Sequence, residues 1–224
     1  MNIALFDLDH TLLPLDSDYA WGQFSTQIGW TDPAEFLERN DWFYAQYQAG
    51  TLDIHDYVRF ATAALSQHTA EEADAAHARF MQEVIAPALH DSARALVRQH
   101  QEAGDAVAII TATNEFVTRP IAKALGVQEL LAIELARDAT GRITGEIVGV
   151  PSFREGKVTR VAHWLAAQGL DWPDVHITFY SDSTNDLPLL ERAQVPVATN
   201  PSPDLHAIAT ERGWRILELF PSAE

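Results

Sequence analysis

The apolar run Ile3-Ala4-Leu5-Phe6 breaks directly into Asp7-Leu8-Asp9-His10-Thr11. Such a run reads as a buried strand, and this one ends in two carboxylates one residue apart. Unpartnered buried charge is strongly disfavoured, so a fold that accepts the pair must supply a cation or give the pair a chemical task. A second acidic cluster, Ser181-Asp182-Ser183-Thr184-Asn185-Asp186, follows the apolar stretch 176–180. Two acidic strand ends can converge on one hard divalent cation, which prefers oxygen ligands.

The rest of the chain reads around these two ends. Residues 106–110 form a third apolar strand, running into Thr111, and open α/β sheets place ligands at the carboxyl ends of their strands. Helical segments alternate with the strands: 91–103, 114–125 and 157–168 each stop at a glycine, Gly104, Gly126 and Gly169. Residues 195–198 and 215–219 read as further strands, and 131–137 with 142–148 as a hairpin appended to the sheet. The pattern is doubly wound α/β. Residues 14–89 differ. No strand pattern occurs there, and helix starts recur at Asp32-Pro33, at Asp53 with Asp56, and at the capping box Thr69/Glu72. Four or five helices are expected, and this third of the chain holds twelve of its 21 aromatic residues.

The motifs resemble the haloacid dehalogenase superfamily of phosphohydrolases. Its first motif, DxDxT, is matched by Asp7, Asp9 and Thr11. Its strand-closing Ser or Thr is matched by Thr111, its helix-start lysine by Lys157, and its acidic DxxxD cluster by Asp182 and Asp186. The helical stretch between the first two motifs resembles the cap of the phosphoserine phosphatase-like branch (subfamily IB, helical C1 cap). The resemblance implies a Rossmann-like catalytic core of residues 1–13 and 90–224 and a helical cap domain of residues 14–89.

By the same resemblance, Asp7 attacks phosphorus and becomes an aspartyl-phosphate. Asp9 protonates the leaving alcohol and then activates water. Mg2+ takes ligands from Asp7, the carbonyl of Asp9 and Asp182, with Asp186 either orienting a metal water or holding Lys157. Thr111 and Lys157 contact the phosphate, and Thr11, Ala112 and Asn185 line the same neighbourhood. Duller roles exist: Asp182 and Asp186 could cap a helix, and Lys157 could be a solvated helix residue. Asp9 argues against a dehalogenase, which needs only the nucleophile. The competing reading is a non-catalytic aspartyl-phosphate acceptor, like a receiver module; receivers are about half this length and lack a cap.

Composition narrows the field. The chain has 224 residues, a net charge of −17 and no cysteine. Disulfides and thiolate chemistry are excluded, and no basic stretch offers contacts to nucleic acid. No apolar run approaches the length of a membrane span, and the first residues carry no secretory pattern, so a cytoplasmic protein is expected.

Substrate is the least constrained property. Asp16 and Asp18 lie just past the first motif. Asp16 is nine residues beyond the nucleophile, where phosphoserine phosphatases carry a glutamate for the substrate's amino group; equally, Asp16, Ser17 and Asp18 could merely cap the first helix of the insertion. Arg59 is the candidate to hold a substrate carboxylate. The run 16–22 also resembles a bacterial subgroup that includes histidinol-phosphate phosphatases, and Trp21, Trp42 and Tyr44 could pack on an imidazole. The expected partner is a small phosphorylated metabolite, an amino-alcohol phosphate. Few arginines among many aromatics and acids in the cap tilt the choice from phosphoserine to histidinol phosphate.

Overall fold

In the computed structural model, which describes residues 1–220, seven strands form one sheet. They are β1 (Asn2–Phe6), β2 (Ala106–Asn114), β3 (Glu129–Arg137), β4 (Ile143–Val148), β5 (His176–Ser181), β6 (Val195–Thr199) and β7 (Arg215–Leu217). The order is β4-β3-β2-β1-β5-β6-β7. Every pairing is parallel except β3 with β4. Of the core expected over 1–13 and 90–224, residues 221–224 lie outside the described residues.

Side chains alternate across β1. Ile3 and Leu5 pack with Val161 and Leu165 of α8 (Glu155–Ala167), Leu189 and Leu190 of α9 (Leu187–Leu190), and Leu205 and Ala209 of α10 (Pro203–Arg212). Ala4 and Phe6 face Ala93 and Val97 of α6 (Asp91–Glu102) and Val117 and Ile121 of α7 (Glu115–Ala124). Burial on both faces is what a continuous apolar strand requires. The hairpin is therefore part of the sheet: β3 lies parallel to β2, and only β4 turns back along it. The second strand also outruns its expected end, because β2 continues past Thr111 to Asn114. Its ladder with β3 shifts register between Ile110 and Asn114.

Between β1 and β2 the chain is helical: α1 (Ser17–Gln27), α2 (Pro33–Ala49), α3 (Ile54–Ala61), α4 (Ala70–Phe80), a π-helical turn (Met81–Ile85) and the short α5 (Ala86–Ala88). Asp16, Asp32 and Asp53 cap the first three through their side chains, and Thr69 with Glu72 closes a capping box on the fourth. Trp21 is buried against Phe24, His77, Phe80 and, from α7, Phe116. The apolar core thus runs unbroken from the insertion into the α6/α7 face of the sheet. Helix α2 is the exception. Phe36 and Phe43 anchor it, while Trp42 and Tyr44 are 57% and 58% exposed. Those two rings lie outside the core, whereas Trp21 is core. A Cβ at Gly22 would fall 2.3 Å from the Phe36 ring, so α1 and α2 approach closely there. No described helix is long and apolar enough to cross a membrane.

Candidate active site

The carboxyl ends of β1, β2 and β5 meet the start of α8 at one place. The Asp7 N–H donates to the Tyr180 carbonyl at 2.9 Å, which sets the acidic ends of β1 and β5 side by side. Past Asp7 the chain turns sharply: the Leu8 carbonyl accepts from the N–H groups of Thr11, Leu12 and Leu13, and His10 takes φ 58°. The turn buries Thr11, whose hydroxyl lies 3.4 Å from Asp7 Oδ2 and 3.3 Å from Asp182 Oδ1, and accepts the Asp182 N–H at 3.1 Å.

Lys157 is only 2% exposed, so it is no solvated helix residue. Its Nζ donates to Asp7 Oδ1 and to Asp186 Oδ2, both at 2.7 Å. Ser181 donates a third bond to this network, to Asp186 at 2.7 Å. Asp186 thus holds the lysine. Burial alone would push the ammonium down, but Asp186 and Asp7 outweigh it and hold Lys157 above its usual value. The tight turn before Lys157 depends on Gly156, where a Cβ would fall 1.9 Å from the Pro151 carbonyl oxygen.

Asp9 lives in a different environment. Its oxygens accept the Ser17 N–H and the Thr113 hydroxyl, both at 2.8 Å, and no cation among the described residues pairs with it. Desolvation, with the charge of Asp16 behind it, pushes Asp9 up to about 8. Desolvation also raises Asp7, but Lys157 opposes it and the value reaches only about 6. Asp182 is raised well above the carboxylate range by burial and by the charges of Asp7 and Asp186. Three carboxyl groups here, Asp7, Asp182 and Asp186, share one ammonium, that of Lys157. No three His, Cys, Asp or Glu side chains among the described residues form a cage that could hold a metal ion by themselves. The excess negative charge at Asp7 and Asp182, both within reach of one hydroxyl, still suits a hard cation that keeps several waters.

The register break in β2 frees residues 111–113 from the ladder. Thr111 Oγ1 accepts the Thr113 N–H at 3.1 Å, and its carbonyl accepts from the Ser152 hydroxyl; Ala112 lies half-buried between the two threonines. Asn185 accepts from Arg154 Nε at 2.9 Å.

The residues beyond the first motif divide. Asp16 is the α1 N-cap, its Oδ1 taking the N–H groups of Asp18 and Tyr19, so the capping reading holds for it. Asp18 is 8% exposed, accepts from Asn114 Nδ2 at 3.2 Å and faces the Tyr57 hydroxyl. Burial, with Asp16 adding to it, raises Asp18 to about 7. Arg59 stands apart, exposed on α3 and paired with Asp56 and Glu146.

Sequence reasoning missed Thr113, Ser181, Asn114 and Tyr57 in the site and, outside the reacting groups, Arg154. The Thr-x-Thr spacing 111–113 held a usable signal. Arg154 held none, because nothing in its neighbours announces a non-glycine residue at φ 51°.

Comparison with known proteins agrees with this geometry. The profile of haloacid dehalogenase-like hydrolases matches residues 4–191. A histidinol-phosphatase from Neisseria meningitidis serogroup C is 43% identical over 217 residues, covering 96% of this chain and 98% of the relative. A crystal structure of a Bordetella pertussis Tohama I protein of unknown function is 51% identical, with a TM-score of 0.92 over 98% of this chain and 99% of the other. A substrate-bound phosphoserine phosphatase shares the fold at 18% identity, with a TM-score of 0.66 over 96% of this chain and 92% of the other.

Proposed function

The chain belongs to the haloacid dehalogenase-like hydrolases, and from that premise we propose that it is a Mg2+-dependent phosphatase. It hydrolyses a small phosphate monoester through an aspartyl-phosphate on Asp7. The observation that carries this reading is the contrast between two carboxyls two positions apart. Asp7 has the Lys157 ammonium 2.7 Å away; Asp9 accepts from the Ser17 N–H and the Thr113 hydroxyl, has no cation partner among the described residues, and is raised further above the ordinary carboxylate value than Asp7. Neighbouring acids pushed apart in this way divide into a base or nucleophile and an acid.

An oxygen of Asp7 attacks phosphorus. The ester P–O bond breaks, and the leaving oxygen takes the proton of Asp9. Asp9, now a carboxylate, takes a proton from water as the water oxygen attacks phosphorus. The bond to Asp7 breaks, inorganic phosphate leaves, and both carboxyls return to their starting states. Lys157 faces the phosphoryl charge throughout, and the Thr111 hydroxyl donates to it. Asp7, Asp182 and the Asp9 carbonyl would hold Mg2+, with Asp186 steadying Lys157 beside it. When bound, the ion neutralises phosphate charge.

Residues 14–89 act as the cap that chooses the substrate. Asp18 supplies the carboxylate for a substrate ammonium, with Asp16 adding negative charge behind it. The cap arginines have other partners: Arg39 lies over Phe43 and Phe60, Arg79 over Phe24 and beside Glu83, and Arg59 pairs with Asp56 and Glu146. A substrate without a carboxylate fits that distribution, which favours L-histidinol phosphate over L-phosphoserine; the name of the Neisseria relative points the same way. Such metabolites belong to the cytoplasm, the location proposed.

Phosphate release from p-nitrophenyl phosphate, with and without Mg2+, tests the class. Sustained Mg2+-dependent turnover is expected. One stable equivalent of aspartyl-phosphate without turnover would instead favour the acceptor module. A screen over phosphorylated metabolites tests the substrate; high efficiency on sugar phosphates or nucleotides, with little on either amine, would end the argument from Asp18.

A further inference from the structure

Arg154 combines three features that the reaction does not use. Its backbone sits at φ 51°, ψ −122°, a conformation that side-chain-bearing residues rarely adopt and that persists only where surroundings enforce it. Its guanidinium lies 4.9 Å over the Phe153 ring and has no carboxylate partner among the described residues. Its donors span two parts of the molecule: Nε reaches Asn185 Oδ1 and Nη1 reaches the Gly50 carbonyl, each at 2.9 Å. Gly50 is the left-handed residue that ends α2. A second strap lies alongside, where Tyr47 near the end of the same helix shares a hydrogen bond of 3.1 Å with Ser183. The phenol there faces the charges of Asp182 and Asp186.

Helix α2 needs such straps. Phe36 stacks on Phe60 of α3 and on Tyr19 of α1, and Phe43 stacks on Phe60, while the helix leaves Leu37, Trp42 and Tyr44 in solvent. The rest of the insertion shares one continuous apolar core with the sheet. The carbonyl of Arg154 also accepts the Lys157 N–H at 3.0 Å, so one residue ties α2 to the acidic loop and to the helix start that carries the lysine.

We propose that Arg154 is a positioning residue, a clasp that fastens the carboxyl end of α2 over the acidic loop, and that α2 alone, rather than the whole insertion, is the element that opens to admit substrate. The proposal rests on the phosphatase reading only for its kinetic consequence. Arg154→Gly is the informative variant, because glycine removes the clasp while accepting the backbone conformation. Hydrogen exchange on the full-length protein reads the clasp directly. In Arg154→Gly, amides at the carboxyl end of α2 should exchange about tenfold faster or more, with the sheet and the thermal midpoint unchanged. Tyr47→Phe should move the same amides in the same direction by less. The specificity constant for L-histidinol phosphate should fall about tenfold or more, mostly through KM, while that for p-nitrophenyl phosphate stays within about twofold. Arg154→Lys, which keeps the charge but cannot bridge both acceptors, should recover only part of the loss.

Unchanged exchange at the end of α2 would overturn the proposal whatever the substrate. So would a lowered midpoint with faster exchange across the sheet, which would make Arg154 a merely structural residue, and so would equal kinetic losses on the two substrates. Faster exchange confined to α2, in a protein that does not hydrolyse L-histidinol phosphate, would leave the clasp standing and remove the substrate reading instead.

Discussion

At the scale of single residues, the chemistry turns on how differently the protein treats Asp7 and Asp9. An acid raised to about 8 is protonated through the neutral range and can donate to a leaving alkoxide there. It loses that proton as pH rises through 8, so the activity should decline on the alkaline side, approaching about tenfold per pH unit. A pH profile of kcat/KM tests this; a flat response from pH 7 to 9.5 would remove Asp9 as the acid. A second prediction concerns Asp18. Its folded-state value, about 7, stands above the ordinary 3.8, so its contribution to stability is complete below 3.8 and is lost as pH rises through 7. Asp18→Asn should therefore raise the thermal midpoint at pH 8 and leave it nearly unchanged at pH 4. At about 1.4 kcal/mol per pH unit, the gain is at most about 4 kcal/mol. The same midpoint shift at both pH values would show that the side chain's charge is not what costs stability. The acidic motif residues were readable because each stands in a pattern tied to a strand end. Tyr57 was not, since the helix crossing that brings it to Asp18 leaves no local pattern; for Thr113 the Thr-x-Thr spacing was the one local signal, and the strand slip that turns it toward Asp9 was hidden.

At the scale of elements, three strand ends and one helix start carry the site, and their order was legible in the chain. Apolar runs that stop at Asp7, Thr111 and Asp182 became β1, β2 and β5, and glycines marked the ends of α6, α7 and α8. The caps of the inserted helices were also readable, because Asp-x-x and Thr-x-x-Glu patterns act locally. The hairpin's membership of the sheet was not, because its pairing with β2 is a long-range contact. The extension of β2 was equally hidden. Before α8, the turn makes its own demand. Gly156→Ala would drive a methyl group to 1.9 Å from a backbone carbonyl, and a rigid carbonyl cannot yield as a flexible side chain would. The variant should lose about 2 kcal/mol or more of stability and displace Lys157. Thermal melts alongside Asp7-dependent turnover would check both; a variant as stable and active as the parent would contradict the turn as described.

At the scale of the whole molecule, a chain of net charge −17 acting on an anionic substrate needs local reversal of its field, which Lys157 begins and a divalent cation would complete. Mg2+ should support turnover, and Ca2+, with longer bonds and more ligands, should inhibit it by drawing both oxygens of Asp7. Full activity after exhaustive EDTA treatment would exclude the metal. Two acidic strand ends brought together by Thr11 and balanced by one buried lysine make Asp7 the centre of the account. The most direct test is the rate of phosphate release from p-nitrophenyl phosphate with saturating Mg2+, measured for the native protein and for Asp7→Asn at matched folded fraction. Sustained turnover by the native chain, and a loss of about a thousandfold or more in a variant that remains folded, is the expected result. Comparable turnover by a well-folded Asp7→Asn protein would contradict it.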